Sequence, residues 1–465
     1  MRIKKSFYYL AFLISFYSFS QEDITVLSLE EYLGYVKKYH PVVKQTYLIT
    51  SEGEAKLLKS RGAFDPKLEV DFDRKKFKES EYYNKLNAAF KIPTWYGVEF
   101  KANFEENDGI YLNPEYTTPT DGLYSAGVSV SLAKGLFMNE RMATLKQAKW
   151  FQQQAQAQQE LVINDIIFNA LSTYFNWLKN YQYFKTYEIY TQNAKTRLDI
   201  VKKSQLAGDK PAIDTLEAGI NYKNRLVDLE NAKIGYIKSK LELSNYLWID
   251  NNIPLELEES IIPDLNTINV IDHVLNSSIL NLDDIEVINH PKMKELLAKK
   301  EILEIEKKLK VNNLLPTVDL QYNFLRTDYR DISALNTSDY KSGLQINFPL
   351  FLRKERGDLK LAKIKLQDLN LELAATEVSL KNKINSNLQE IESFNNQYDI
   401  LQELVEDYKK LIQGEERKFE IGEGSLFLVN YREVKLIENQ LKRLDTEYKL
   451  LNGKTNFLRT INTLF

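Results

Sequence analysis

The sequence predicts a mainly α protein with a membrane β portion: long coiled-coil helices, plus strands that several copies contribute to one shared β-barrel. Three observations carry this expectation. The chain is written twice, with matching landmarks in its two halves. Residues 136–207 and 358–413 contain neither glycine nor proline, so each reads as one uninterrupted helix. Between the helical stretches lie short segments in which apolar and polar residues alternate, the pattern of strands with one face of each kind.

In chain order, the start is basic at Arg2, Lys4 and Lys5, apolar from Phe7 to Phe19, and small at Ser18 and Ser20 before Gln21. That is the order of a secretory signal, so residues 1–20 are predicted to be removed after Ser20. No other segment offers about 20 apolar residues in a row, so no helix of the mature chain is expected to span a bilayer. The absence of cysteine excludes disulfides, thiolate metal sites and a lipid on an N-terminal cysteine.

The first repeat is predicted over 21–255. It opens with a helix carrying His40-Pro41, continues into strands at about 66–133, and finishes in long helices at 137–207 and 211–250. A linker at 256–283 precedes the second repeat, 284–465, with a helix after His290-Pro291, strands at about 316–350, and long helices at 353–420 and 425–460. His40-Pro41 recurs as His290-Pro291 and Pro66 as Pro316, both at an offset of 250. Further along, "TLKQAK" answers "DLKLAK" at an offset near 215, so the first repeat carries about 34 additional residues between Pro66 and Gly127.

At 1.5 Å per residue the stretch 136–207 would reach roughly 100 Å as a helix, and Val434, Ile437, Leu441, Leu444, Tyr448 and Leu451 follow the heptad steps of a packed seam. In the strands, Leu68, Val70 and Phe72 alternate with acids; Val98, Phe100, Ala102 and Phe104 alternate with Glu99, Lys101 and Asn103; and Val128, Val130 and Leu132, then Val318, Leu320, Tyr322 and Phe324, then Leu344, Ile346 and Phe348 alternate with polar neighbours. In an exported chain without a membrane helix, a closed barrel is the remaining way to satisfy backbone groups in lipid. One chain supplies too few strands to close such a barrel, so copies must share it. Tyr82, Tyr83, Trp95, Tyr96, Tyr111, Tyr116, Tyr124, Tyr329 and Tyr340 stand near strand ends, where interfacial aromatics gather.

These residues resemble the TolC family of outer-membrane efflux proteins over essentially the whole mature chain. The resemblance rests on the tandem duplication, the "HP" steps, the run Arg61-Gly62-Ala63-Phe64-Asp65-Pro66-Lys67-Leu68 leading into a strand, and the strand exit Gly343 to Phe351 with a weaker copy at Gly127 to Phe137. It implies a homotrimer in the outer membrane of a Gram-negative bacterium, with a periplasmic helical tunnel. The tip of that tunnel would meet a periplasmic adaptor and an inner-membrane pump. The additional residues depart from two strands per repeat.

The turns Gly208-Asp209-Lys210-Pro211 and Gly422-Glu423-Gly424-Ser425 are expected to form the tip and the adaptor contact. Asp209 or Ser425 is expected to cap the following helix, and Pro211 to stand in its first turn. The resemblance places Asp214 and Glu217 facing the pore, their spacing putting both on one helix face. Leu428 and Tyr431 occupy the equivalent positions of the second repeat. His40, Pro41, Pro66, His290, Pro291 and Pro316 are read as repeat-structural. The three histidines are scattered, no phosphate-cradling glycine loop occurs, and the carboxylates are expected on solvated helix faces. No catalytic residue, metal or cofactor is therefore expected. The net charge of −3 gives no case for nucleic acid. The reading is a passive conduit in a tripartite efflux or type I secretion system, its rivals a periplasmic coiled-coil scaffold or adaptor without a pore and an exported enzyme.

Overall fold

The computed structural model describes residues 25–276, 286–328, 330 and 337–464. The predicted signal sequence lies outside the described residues, as do residues 277–283 of the predicted linker, Tyr329 and Phe465.

In chain order the elements are β1 (Thr25–Leu27), α1 (Leu29–Tyr39), α2 (Pro41–Arg61), β2 (Lys67–Phe77), β3 (Ser80–Pro93), β4 (Val98–Asp108) and β5 (Leu123–Ala133), then α3 (Lys134–Phe137), α4 (Glu140–Leu206) and α5 (Ala212–Ser244). There follow β6 (Trp248–Ile249), β7 (Ile253–Pro254), β8 (Ile261–Pro263), α6 (Thr267–Val274), α7 (Pro291–Asn312), β9 (Thr317–Arg326), β10 (Tyr340–Asn347), α8 (Arg353–Glu420) and α9 (Leu426–Ile461). With 67 and 68 residues, α4 and α8 each span roughly 100 Å. Among the described residues no helix is long and apolar enough to cross a membrane.

Residues 25–44, 163–276 and 383–464 form one compact unit. Its core gathers on one stretch of α4, where Ile167, Leu171, Tyr174, Phe175, Trp177 and Leu178 are buried with Tyr32, Leu243 and Ile271. β1 pairs in parallel with β8, and the buried tyrosines fasten this pair to the helix. Tyr174 Oη donates to Leu27 O at 2.7 Å and accepts from the Asp264 amide at 3.2 Å, while Tyr32 Oη donates to Ala170 O at 3.1 Å. These bonds give the two buried phenols backbone partners, so neither hydroxyl is left unpaired in the core. α5 ends at Ser244, short of the expected 250. Trp248–Ile249 pairs instead with Ile253–Pro254 across a turn in which Asn251 and Asn252 take the left-handed conformation, one that asparagine tolerates better than most residues.

Residues 45–162 and the described part of 286–382 form the second unit, built on a six-stranded antiparallel sheet in the order β10-β9-β5-β4-β3-β2. Pro66 and Pro316 stand immediately before β2 and β9. The additional residues of the first repeat join the sheet, so this repeat supplies four strands and the second two. The return from β5 to helix is latched by Asn312, whose buried amide donates to Lys134 O and, at 2.8 Å, to Met138 O. α4 begins at Glu140 and not at 137, because Asn139 breaks from α3 and caps it: Asn139 Oδ1 accepts from the Met142 amide at 2.8 Å.

Candidate functional site: helix turns and the two faces of the sheet

The long-helix pairs reverse direction through the same backbone device. Gly208 after α4 and Gly422 after α8 have φ of +87° and +81°, the left-handed closure for which glycine carries no Cβ penalty. The Asp209 amide donates to Ser204 O and the Glu423 amide to Lys418 O, both at 2.9 Å. These are Schellman closures. The following helices start differently. Ser425 Oγ accepts from the Leu428 amide at 3.2 Å and caps α9. α5 has no side-chain cap; Pro211 stands at the cap position itself, one residue before the expected first turn, and its carbonyl accepts from the Asp214 amide at 3.1 Å. Asp209 therefore caps nothing, being two residues too early once proline sets the start. Lys210 lies with its ammonium 4.5 Å from the Phe419 ring centre.

Asp214 and Glu217 are both half-buried on α5. Glu217 is engaged within its own chain, accepting from Asn430 Nδ2 at 3.1 Å. Leu428 and Tyr431 are exposed, with Phe427 stacked on Tyr431. Behind them Leu198, Val201, Ala218 and Leu426 make a buried apolar cluster.

Asn430 leads into a network the sequence reading missed. Arg197 donates to Asn430 Oδ1 at 3.3 Å and, at 3.0 Å each, to Glu416 and Glu433. The Glu433 side chain is 1% exposed, which overturns the expectation that the carboxylates lie on solvated helix faces. Burial alone would lower the Arg197 pKa, but Glu433 and Glu416 outweigh it and hold the guanidinium above its ordinary value. Burial, with the same two carboxylates nearby, pushes the Tyr190 hydroxyl up to about 12. Beside the network opens a cleft of about 510 Å³ lined by Asn193, Arg197, Ile200, Lys210, Glu416 and Phe419.

The sheet sorts its side chains by register. Leu68, Val70 and Phe72 pair with Phe90, Ala88 and Leu86; Phe90 and Ile92 pair with Ala102 and Phe100. Phe100 meets Val128, Val128 meets Tyr322, and Tyr322, Leu320 and Val318 meet Ser342, Leu344 and Ile346. Apart from Ser342, the residues of these pairs are apolar, so one face is largely apolar across all six strands. The opposite face carries Glu69, Asp71, Asp73, Lys85, Lys91, Glu99, Lys101, Asn103, Ser129, Ser131, Asp319, Gln321, Lys341 and Gln345 in the same registers. At the helix end of the sheet Phe64 stacks on Trp95, and at the far end Tyr82 packs on Tyr111.

Residues 287–456 match the sequence profile of the outer membrane efflux protein family. In structure the chain is similar to the CmeC outer membrane channel of Campylobacter jejuni, with a TM-score of 0.66, 15% identity, and 94% of this chain and 85% of that chain covered. It is also similar to the MtrE outer membrane channel of Neisseria gonorrhoeae in its open state (TM-score 0.66, 12% identity, 93% and 88% covered). The outer membrane protein VceC of Vibrio cholerae matches with a TM-score of 0.64 and 10% identity, over 93% and 95% of the two chains. No curated protein sequence matches the chain. Its fold is that of a TolC-like outer-membrane channel.

In this TolC-like frame the duplicated histidines have a common local role. His40 Nδ1 accepts from the Val42 amide at 3.3 Å and His290 Nδ1 from the Lys292 amide at 3.0 Å, so each ring caps the helix that its following proline opens. Arg197 and Glu433 share in a spacing visible in the sequence, though their pairing is not. Glu433 and Gln440 stand seven residues apart within the α9 heptads, and their partners Arg197 and Tyr190 stand seven apart along α4.

Proposed function

We propose that the protein is the outer-membrane channel subunit of a tripartite efflux or type I secretion assembly, a homotrimeric and non-catalytic conduit from periplasm to exterior. The sheet carries this reading: across its six strands it presents a largely apolar face to lipid and a polar, mixed-charge face to water. A periplasmic scaffold would have no use for such a sheet. The helices supply the means of self-association. Ile213, Leu216, Ile220, Val227, Ile234, Ile237 and Leu241 form an exposed apolar stripe along α5, and a neighbouring copy would cover it.

The two turns and the cleft beside Arg197 form the adaptor-facing tip, and the adaptor in turn engages an inner-membrane pump that supplies energy and chooses cargo. Asp214, gathered threefold, makes an acidic constriction, and Glu217 adds to it while tied to α9 through Asn430; Leu428 and Tyr431 line the same aperture. Cell fractionation tests the placement: the protein is expected in the outer membrane and to require detergent for extraction, and a freely soluble periplasmic protein would sink the reading. For the aperture, Asp214→Ala with Glu217→Ala is expected to leave assembly intact and to lower cation selectivity in planar bilayers, seen as a smaller reversal potential under a salt gradient. An unchanged reversal potential removes the acidic ring.

A further inference from the structure

The sheet leaves two edges open. Every residue of β2 and of β10 is exposed, including Leu68, Val70, Phe72, Leu344 and Ile346 on the apolar face. An unpaired strand edge facing lipid leaves a row of backbone amides and carbonyls without partners, a cost no membrane wall sustains. Resting on the trimeric reading above, we propose that β2 of each copy pairs with β10 of the next, closing three six-stranded sheets into an eighteen-stranded barrel.

Strand direction supports the closure. The strands alternate through the order β10-β9-β5-β4-β3-β2, so with an even number per copy the edge strand β10 of one copy runs antiparallel to β2 of the next. Closure then continues the pattern of the whole wall, as bacterial barrels with even strand numbers do. Side-chain parity agrees as well. Joining the edges with the apolar faces aligned sets Leu68, Val70 and Phe72 among Tyr340, Ser342, Leu344 and Ile346 on the lipid side. It also brings Lys341 toward the far end of the wall, on the luminal face that carries Asp71 and Asp73 of the neighbour. Opposite charges across a strand pair favour that pairing over others.

The consequence is a wide exit. Two strands per repeat, the number implied by the resemblance, would give twelve strands per trimer. The hairpin added in the first repeat raises this to eighteen. Barrel diameter grows roughly linearly with strand number, so the wall would be about 1.5 times as wide, in the range where barrels enclose an open aqueous channel. Such an exit passes bulky hydrophilic cargo without selecting it.

Disulfide trapping and strand counting test the closure, in a chain with no cysteine of its own. Three double variants are made, combining Val70→Cys with Ser342→Cys, Leu344→Cys or Ile346→Cys. On oxidation of intact outer membranes, at least one is expected to lose its monomer band to a dimer and trimer ladder that collapses with reductant. Electron cryomicroscopy of the detergent-extracted trimer is expected to show eighteen strands. The pair Phe100→Cys with Leu344→Cys serves as the opposing arm, since it cross-links only if the β2–β3 hairpin stands outside the wall. That cross-link, or a trimer with twelve strands, overturns the proposal and leaves the channel reading standing. A monomer in the membrane extract overturns both.

Discussion

A single ring ties the start of α2 to the unit around it. His40 is buried, stacked on Tyr246 at 5.4 Å, with Nδ1 accepting from the Val42 amide and the Asn245 carbonyl accepting a hydrogen bond from the ring. Both bonds suit the neutral imidazole, because a proton on Nδ1 would destroy the cap. Burial lowers the His40 pKa below its ordinary value, outweighing the Asn245 carbonyl, which acts the other way. In the window between the folded and unfolded values the unfolded chain holds the extra proton. Stability from this group is therefore present above pH 6.5 and lost as pH falls through and below it. His40→Asn keeps a side-chain acceptor at the cap and removes the titration. Its melting temperature relative to wild type is expected to rise as pH is lowered from about 7.5 to 5.5. Parallel pH profiles would refute this linkage, since the other two histidines are common to both proteins.

The α4–α9 seam shows how far the pattern of a helix pair reaches. Arg197 meets Glu433, Tyr190 Oη donates to Gln440 Oε1 at 3.1 Å, and Tyr183 Oη donates to Leu441 O at 3.2 Å. A polar contact thus recurs with each heptad along an otherwise apolar interface, and such contacts fix register between helices at some expense in stability. The apolar half of this seam was legible from Ile437, Leu444 and Leu451 alone. Its polar half was not, because Glu433 on a solvated face and Glu433 in a seam look alike until the partner arginine, 236 residues earlier, is placed beside it. The same distinction explains Asp209: a residue well suited to capping by type lost the role to Pro211, whose fixed φ set the helix start. Removing one member of a buried pair strands the other. Glu433→Ala is thus expected to cost about 3 kcal/mol in urea unfolding, whereas Arg197→Met combined with Glu433→Leu recovers most of that loss. A double variant as unstable as the sum of its single changes would mean the two residues act independently.

For the molecule as a whole the decisive asymmetry is between the two faces of the sheet, and adjacent residues on β5 separate them. Five strands were legible from alternation. β3 was not, because Ala88 and Ala89 fall on opposite faces and blur the contrast between Leu86, Phe90, Ile92 and their polar neighbours. Only its pairing with β2 and β4 reveals which row faces which way. Val128, at the middle of β5, pairs with Phe100 and Tyr322 on the apolar face, and Ser129 pairs with Glu99 and Gln321 on the polar one. If the proposed barrel forms, a lysine at position 128 brings an ammonium into hydrocarbon at a cost of about 2–4 kcal/mol per copy, multiplied over the copies that share it. One at position 129 would join the polar face that carries Lys85, Lys91 and Lys101, the face assigned to the proposed lumen. Val128→Lys is accordingly expected to reduce the outer-membrane trimer strongly in native gels, while Ser129→Lys assembles normally and shifts the channel toward anions. Equal assembly of the two variants would mean that neither face meets lipid, and a soluble role for the sheet would have to be sought.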